Sequence, residues 1–500
     1  MNRRQFLWMT ATSGAAAATE GFWSIPSGAA AAGERRPNVV FVLADQWRAQ
    51  ATGYAGDTNA RTRALDRLAA ESVNLDHAVS GLPVCCPYRG SLLTGQYPLT
   101  NGVFINDVPL APKGPTLGDV FTRAGYRTGY IGKWHLYGSP GGKNERRAFS
   151  IPHDQRFGFD YWKAAECTHD YNHSIYYQDD DPTPHYWEGY DAIAQTEDAC
   201  GFIARQAKSE DPFCLILSLG PPHSPYDTAP ERYQALYGDR DLQFRANVPE
   251  DTRKATEASL RGCYSHIAAL DDCVGRVLAR IEESRIAEDT ILVFASDHGD
   301  MLGSQGLRAK HHPWDESIRV PFLLRYPRKL GKTGRRLGHP IDAPDIMPTL
   351  LGLAGLACPD TVQGTDLSLL LLGKRPVDPD AAALLTMPYS FFLARSCGWA
   401  DYRGLRTQRY TYVRSIHGPW LLYDNEKDAY QMHNLCGQAA HKALQSKLDK
   451  ALDARLRRVN DDFLPGRVYL ERAGLTHYEE ANVPIRGCVS PWGDWGPTMR

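Results

Sequence analysis

No uninterrupted apolar run in this chain reaches the roughly 20 residues that a membrane-spanning helix needs. Excess charge is missing too. The chain carries 56 lysines and arginines against 58 aspartates and glutamates, a formal net charge of −2, so charge gives no case for nucleic acid or an anionic membrane as the main partner. Cysteine is sparse: 11 occur in 500 residues, only Cys85 and Cys86 are adjacent, and no C-x-x-C spacing exists. Neither a disulfide framework nor a zinc ribbon is therefore written into the chain. Internal repeats are absent, and low complexity is confined to the first stretch of the chain.

What is present is ordinary in amount, with 43% hydrophobic and 23% charged residues in a length ample for a large core. The N-terminus is unusual. Asn2-Arg3-Arg4-Gln5-Phe6-Leu7 looks like a twin-arginine export motif, followed by a mild apolar stretch to Ala18 and a small-residue run from Ser27 to Gly33. We read residues 1–33 as a signal peptide and expect export from a bacterial cytoplasm to the periplasm or beyond. That route carries folded proteins, so a cysteine could be modified before transport.

Asn38 to Ala44 is a β-branched apolar run that ends at Asp45, the pattern of a buried parallel strand delivering a side chain at its C-terminal end. Thr128 to Gly132, Phe213 to Leu219, Thr290 to Ala295 and Val320 to Leu324 read as further strands. Helical spacing covers Thr62 to Ser72, Leu117 to Ala124 and the long stretch Arg253 to Ser284, and Pro87 falls at a helix start. This alternation predicts an α/β fold with a large, mostly parallel sheet sandwiched by helices. Beyond about residue 375 the pattern changes. Short aromatic segments at Tyr402 to Leu405, Tyr410 to Arg414 and Trp420 to Tyr423 predict a smaller antiparallel sheet, with an amphipathic helix near Ala440 to Arg457. The expected division is 34–375 for a catalytic α/β domain and 376–500 for a C-terminal α+β subdomain.

Each polar motif follows an apolar strand, where open α/β sheets gather ligands. Asp45-Gln46 ends the first strand, and Asp297-His298 lies within Ala295-Ser296-Asp297-His298-Gly299-Asp300. Between them come Cys85-Cys86-Pro87-Tyr88-Arg89, Gly132-Lys133-Trp134-His135 and Pro221-Pro222-His223-Ser224-Pro225-Tyr226, and Lys310 closes the series. The C-x-P-x-R skeleton running into Leu92-Leu93-Thr94-Gly95, with the other segments in this order, resembles the formylglycine-dependent sulfatases of the alkaline phosphatase superfamily. That resemblance implies the same two-part layout, and a formylglycine-generating enzyme that oxidises Cys85 to formylglycine (3-oxoalanine). The hydrated aldehyde is then the nucleophile toward sulfur.

The resemblance also assigns roles. Asp45, Gln46, Asp297, His298 and the modified Cys85 would hold one divalent cation; calcium is expected, while the imidazole keeps manganese, and the oxygen donors magnesium, as alternatives. Lys133 and Lys310 would hold sulfate oxygens, Arg89 would brace the diol, His223 would protonate the leaving alcohol, and His135 would deprotonate the second hydroxyl to expel sulfate.

The expected reaction is hydrolysis of a sulfate ester. Two other readings stay open: a phosphonate or phosphate ester hydrolase of the same superfamily, and a non-catalytic anion- or sugar-binding homologue. The segment from Tyr161 to Tyr190 is dense in aromatic and polar groups, among them Trp162, His169, Tyr171, Asn172, His173, Tyr176, Tyr177 and Trp187. With export, it points to a sulfated carbohydrate as substrate, against the alternative of a packed insertion whose aromatics serve the core.

Overall fold

The structure is a computed structural model and describes residues 35–481 apart from 392, 393 and 396. The signal-peptide reading of residues 1–33 lies outside the described residues.

Asn38–Asp45 is buried along its whole length, and its side chains divide by parity. Val39, Phe41 and Leu43 enter one core cluster, while Val40, Val42 and Ala44 enter the other. A strand that buries both faces must be a near-continuous apolar run, as this one is. Each of its larger side chains contributes about 1.5–3 kcal/mol through burial. It pairs in parallel with Phe213–Pro222 on one side and Thr290–Ser296 on the other.

From this centre the sheet grows to ten strands. Beyond Phe213–Pro222 lie Arg127–Lys133, Tyr161–Ala165, Ile175–Gln178 and His185–Tyr186. Beyond Thr290–Ser296 lie Phe322–Arg325, Val73–Asn74 and Arg335–Arg336. The strand expected at Val320 to Leu324 is shifted to Phe322–Arg325 and runs antiparallel to Thr290–Ser296. Helices cover both faces: Arg63–Ala70, Asp191–Gln206 and Glu250–Glu283 bury apolar side chains in one cluster, and Cys85–Thr94, Leu117–Arg123 and Ala343–Ala354 in the other.

This topology places the chemistry. The parallel strands Asn38–Asp45, Arg127–Lys133, Phe213–Pro222 and Thr290–Ser296 all end on one edge, at Asp45, Lys133, Pro222 and Ser296. Successive strands leave Asn38–Asp45 to opposite sides, the arrangement that opens a crevice at the carboxyl ends.

A second sheet is a four-stranded antiparallel meander of Ala382–Met387, Tyr402–Thr407, Tyr410–Ser415 and Gly418–Asp424. The helix Lys442–Arg458 lays Leu448, Leu452 and Leu456, spaced by one helical turn, against Leu384, Leu405, Tyr412 and Leu422. The opposite face, with Leu385, Met387, Tyr402 and Val413, shares a cluster with Val84, Phe104, Met301, Trp314 and Ile318 from the loops of the large sheet. A buried ion pair joins the same regions: Arg406 Nε and Nη2 lie 2.9 and 3.0 Å from the Asp315 carboxylate. No helix among the described residues is long and apolar enough to cross a membrane.

Candidate active site

Cys85 is the first residue of the buried helix Cys85–Thr94, whose N-cap is the extended Val84 and whose C-cap is Gly95. Its sulfur points into the cluster at the strand ends. Lys310 Nζ donates to it at 3.1 Å, His298 Nε2 lies 3.2 Å away and Asp45 Oδ1 3.7 Å away. Burial and Asp45 both push the thiol up, but Lys133, Lys310 and His298 outweigh them and hold it well below the ordinary thiol range. Cys86, one residue on, is buried away from these cations. Its sulfur accepts from the Asp107 backbone N–H at 3.2 Å, and burial pushes its thiol up to about 11. The two adjacent cysteines thus occupy opposite electrostatic environments, and both are free thiols.

Asp45, Cys85, Asp297 and His298 are fully buried, and each presents one donor atom within 4.8 Å of the others. His298 Nδ1 donates to the Gly299 carbonyl at 2.9 Å, which leaves Nε2 as the ring nitrogen that faces the cluster and ligates a metal once its proton is displaced. Gln46, in left-handed backbone with φ 66°, donates its backbone N–H to Asp297 Oδ1 at 3.1 Å. Its side-chain Oε1 is buried and without a hydrogen-bond partner. Two carboxylates, an imidazole nitrogen and an orphaned amide oxygen are a donor set that fits a divalent cation.

Two buried cations contact the carboxylates. Lys133 Nζ lies 2.6 Å from Asp45 Oδ2, and Arg89 Nη2 lies 3.2 Å from the same oxygen and 3.0 Å from Asp297 Oδ2. Burial alone would raise the Asp45 carboxyl, but Lys133, His223, Lys310 and His298 hold it well below the usual range. Burial and the Asp45 charge instead raise Asp297. Arg89 is itself fixed by the Lys133 carbonyl at 3.0 Å and by Ser218 Oγ at 2.6 Å. Gly132, with φ 101°, lets the strand approach this point, because a Cβ there would collide with the Ser218 carbonyl.

His223 follows the Phe213–Pro222 strand. Its Nδ1 donates to the Ser224 carbonyl at 2.8 Å, and its Nε2 accepts from Lys310 Nζ at 2.8 Å. Burial and Lys310 together hold it well below the ordinary imidazole range. Tyr171 supports this loop, its hydroxyl donating to the His223 carbonyl at 2.9 Å.

The structure therefore brings together Asp45, Gln46, Cys85, Arg89, Lys133, His223, Asp297, His298 and Lys310. His135 lies one step aside. Its Nε2 is 3.2 Å from Asp107 Oδ1, Arg147 Nη2 meets the other oxygen, Oδ2, at 3.0 Å, and its other nitrogen is buried near Cys86 and Cys167. No hydrogen bond joins it to Cys85.

Comparison with known proteins agrees with this geometry. The sulfatase family model matches residues 37–356, and the model described as N-sulphoglucosamine sulphohydrolase, C-terminal, matches residues 303–458. This chain belongs to the sulfatase family. It is 42% identical over 440 residues to an ulvan-active sulfatase of Formosa agariphila, covering 87% of this chain and 84% of that one. It is 29% identical over 495 residues to an endo-4-O-sulfatase of Bacteroides thetaiotaomicron, covering 87% and 95%. A solved phosphonate monoester hydrolase of Agrobacterium radiobacter shares the fold, with a TM-score of 0.67 at 23% identity over 85% of this chain and 96% of that one.

Several residues of this sulfatase site carry no signal in sequence. Ser218 is a lone serine inside an apolar strand. Asp107 and Asp300 are loop carboxylates whose partners lie far along the chain. His169 lies flat on His223. Within the aromatic segment, Trp162, Tyr171, Tyr177 and Trp187 are buried and belong to the core rather than to a sugar platform. His173 and Tyr186 stack near the surface at 4.2 Å.

Proposed function

We propose that this sulfatase hydrolyses sulfate esters of carbohydrates, with formylglycine made from Cys85 as the nucleophile. The observation that carries the reading is the buried Cys85 sulfur, 3.1 Å from Lys310 Nζ and within 4.8 Å of a carboxylate–imidazole cluster. The formylglycine hydrate supplies an oxygen nucleophile at the place the sulfur now marks. A divalent cation held by Asp45, Gln46, Asp297 and His298, with the modified Cys85, would add Lewis-acid polarisation and lower the pKa of that nucleophile. Calcium suits the oxygen donors, and the imidazole admits manganese.

The remaining work falls to the chain's own side chains. Lys133 and Lys310 face the site as buried cations and offset the charge that spreads over sulfate oxygens in the transition state. Arg89 bridges the two carboxylates and offsets their mutual repulsion. His223 Nε2 accepts a hydrogen bond from the Lys310 ammonium, so the proton that reaches the departing sugar oxygen through His223 is one that Lys310 supplies. His135, oriented by Asp107, takes the proton whose removal expels sulfate. The balance is ester plus water to alcohol plus inorganic sulfate.

Carbohydrate is supported by the ulvan-active name of the 42% identical relative. Twin-arginine export, read from Asn2 to Leu7, would place the enzyme where polysaccharide fragments arrive. Because a phosphonate monoester hydrolase shares the fold, kcat/KM on paired sulfate and phosphonate esters of one alcohol is the deciding test. A higher value for the sulfate ester supports this reading, and a higher value for the phosphonate overturns it.

A further inference from the structure

Asp300 sits outside the set of groups assigned to the reaction, yet it is 2% exposed and takes four hydrogen bonds. Oδ1 accepts the backbone N–H groups of Leu302 at 2.9 Å and Ala309 at 2.8 Å. Oδ2 accepts from Gln46 Nε2 at 2.8 Å and from the Tyr226 hydroxyl. Gln46 Nε2 also lies 2.9 Å from Tyr226 Oη. These partners come from three segments that converge on the site: Gln46 follows Asp45, Tyr226 is in the His223 loop, and Ala309 precedes Lys310.

An amide has a donor end and an acceptor end, and a carboxylate offers acceptors only. With Asp300 beside it, Gln46 can turn only its NH2 toward that carboxylate. A flipped amide would set oxygen against oxygen in a buried place and leave both ends unsatisfied, at about 1–3 kcal/mol for each orphaned group. The carbonyl end is thereby released. Gln46 Oε1 is buried with no partner, on a residue whose backbone N–H already touches Asp297.

We propose that Asp300 is a positioning residue that fixes the Gln46 amide, so that the oxygen and not the nitrogen is what Gln46 offers a divalent cation. Through Tyr226 and Ala309 the same carboxylate ties the loops of His223 and Lys310 to that ligand. The inference rests on the reading that a cation occupies the Asp45–Asp297–His298 cluster. It also accounts for a neutral residue at position 46: a carboxylate there would meet Asp300 directly.

The test is calorimetric titration of the full chain with Ca²⁺ and with Mn²⁺, folding being checked by circular dichroism. Asp300→Ala should weaken cation binding by about 10- to 100-fold, the range for lost partners of metal ligands. Gln46→Glu alone should weaken it as well, despite the added charge, because two carboxylates then face each other. The double variant Gln46→Glu with Asp300→Asn restores a donor–acceptor pair in reversed sense and should recover affinity to within a few-fold of the parent. A merely structural role for Asp300 predicts no such rescue. Gln46→Glu binding as tightly as the parent, or the double variant binding no better than Gln46→Glu, overturns the proposal even if Asp300→Ala fails to fold. Failure of the parent chain to bind either cation overturns the metal reading itself, and the inference with it.

Discussion

The imidazole of His169 lies flat on that of His223, with ring centroids 4.5 Å apart and planes 7° from parallel. The stack closes one side of His223, while Lys310 holds its Nε2 and the Ser224 carbonyl holds its Nδ1. The ring proposed to serve the leaving group is therefore fixed on three sides. His223→Ala should lower kcat on a sugar sulfate by about 10²–10⁴-fold, the usual worth of a general acid. An aryl sulfate with a good leaving group should lose far less. His169→Ala should show the same dependence on leaving group with a smaller loss. Equal losses on both substrates would remove His223 from the acid role.

Arg89 bridges two carboxylates that would otherwise repel each other in a dry site. Replacing it by Met keeps the volume but leaves Asp45 and Asp297 short of one cation. The expected cost is about 3–5 kcal/mol, the range for breaking a buried ion pair on one side. Urea unfolding of the metal-free protein measures it directly, and a change within experimental error would mean that Lys133 alone balances the pair.

Chelation followed by dialysis should abolish sulfate release and lower the thermal midpoint. Calcium or manganese at about 100 times its dissociation constant should return about 2.7 kcal/mol of stability. The readout is thermal unfolding with and without each cation, followed by assay. Full activity after chelation would contradict a metal-dependent site.

Acid should loosen the contact between the two sheets. Burial raises the Asp315 carboxyl, but Arg406 and Arg319 outweigh it and hold it at about 2 against an ordinary 3.8. Because the folded value is depressed, this stabilisation is present above the unfolded pKa and is lost as pH falls through the folded one. The difference corresponds to about 2–3 kcal/mol, lost between about pH 5 and about pH 2. Asp315→Asn should flatten that part of the stability–pH curve and lower stability at neutral pH, which urea midpoints across the acid range would show.

Strand-end chemistry was legible in the sequence because an apolar run that stops at Asp45 or Ser296 announces both the strand and the side chain it delivers. The long helix Glu250–Glu283 and the meander after Tyr402 were legible for the same reason, a sustained period or a sharp change of pattern. Asp300, Asp107 and Ser218 were not. Each acts through a partner 28 to 254 residues away, and a single polar residue has no period. The first strand of the meander, Ala382–Met387, carries no aromatic residue and gives no such signal. Tyr171 and Trp162 left two readings open, and burial decides for the core. An aromatic that plugs the core and one that stacks on a sugar have the same letter.

The central claim is that Cys85, converted to an aldehyde, is the reacting residue. Preparations made with and without a formylglycine-generating enzyme give chains converted to different extents, which mass spectrometry of the Cys85 peptide quantifies. Inorganic sulfate release from a sulfated oligosaccharide should rise in proportion to the converted fraction and vanish for the thiol. Equal turnover by the unconverted thiol, or an aldehyde at Cys85 with no sulfate released, would contradict the account.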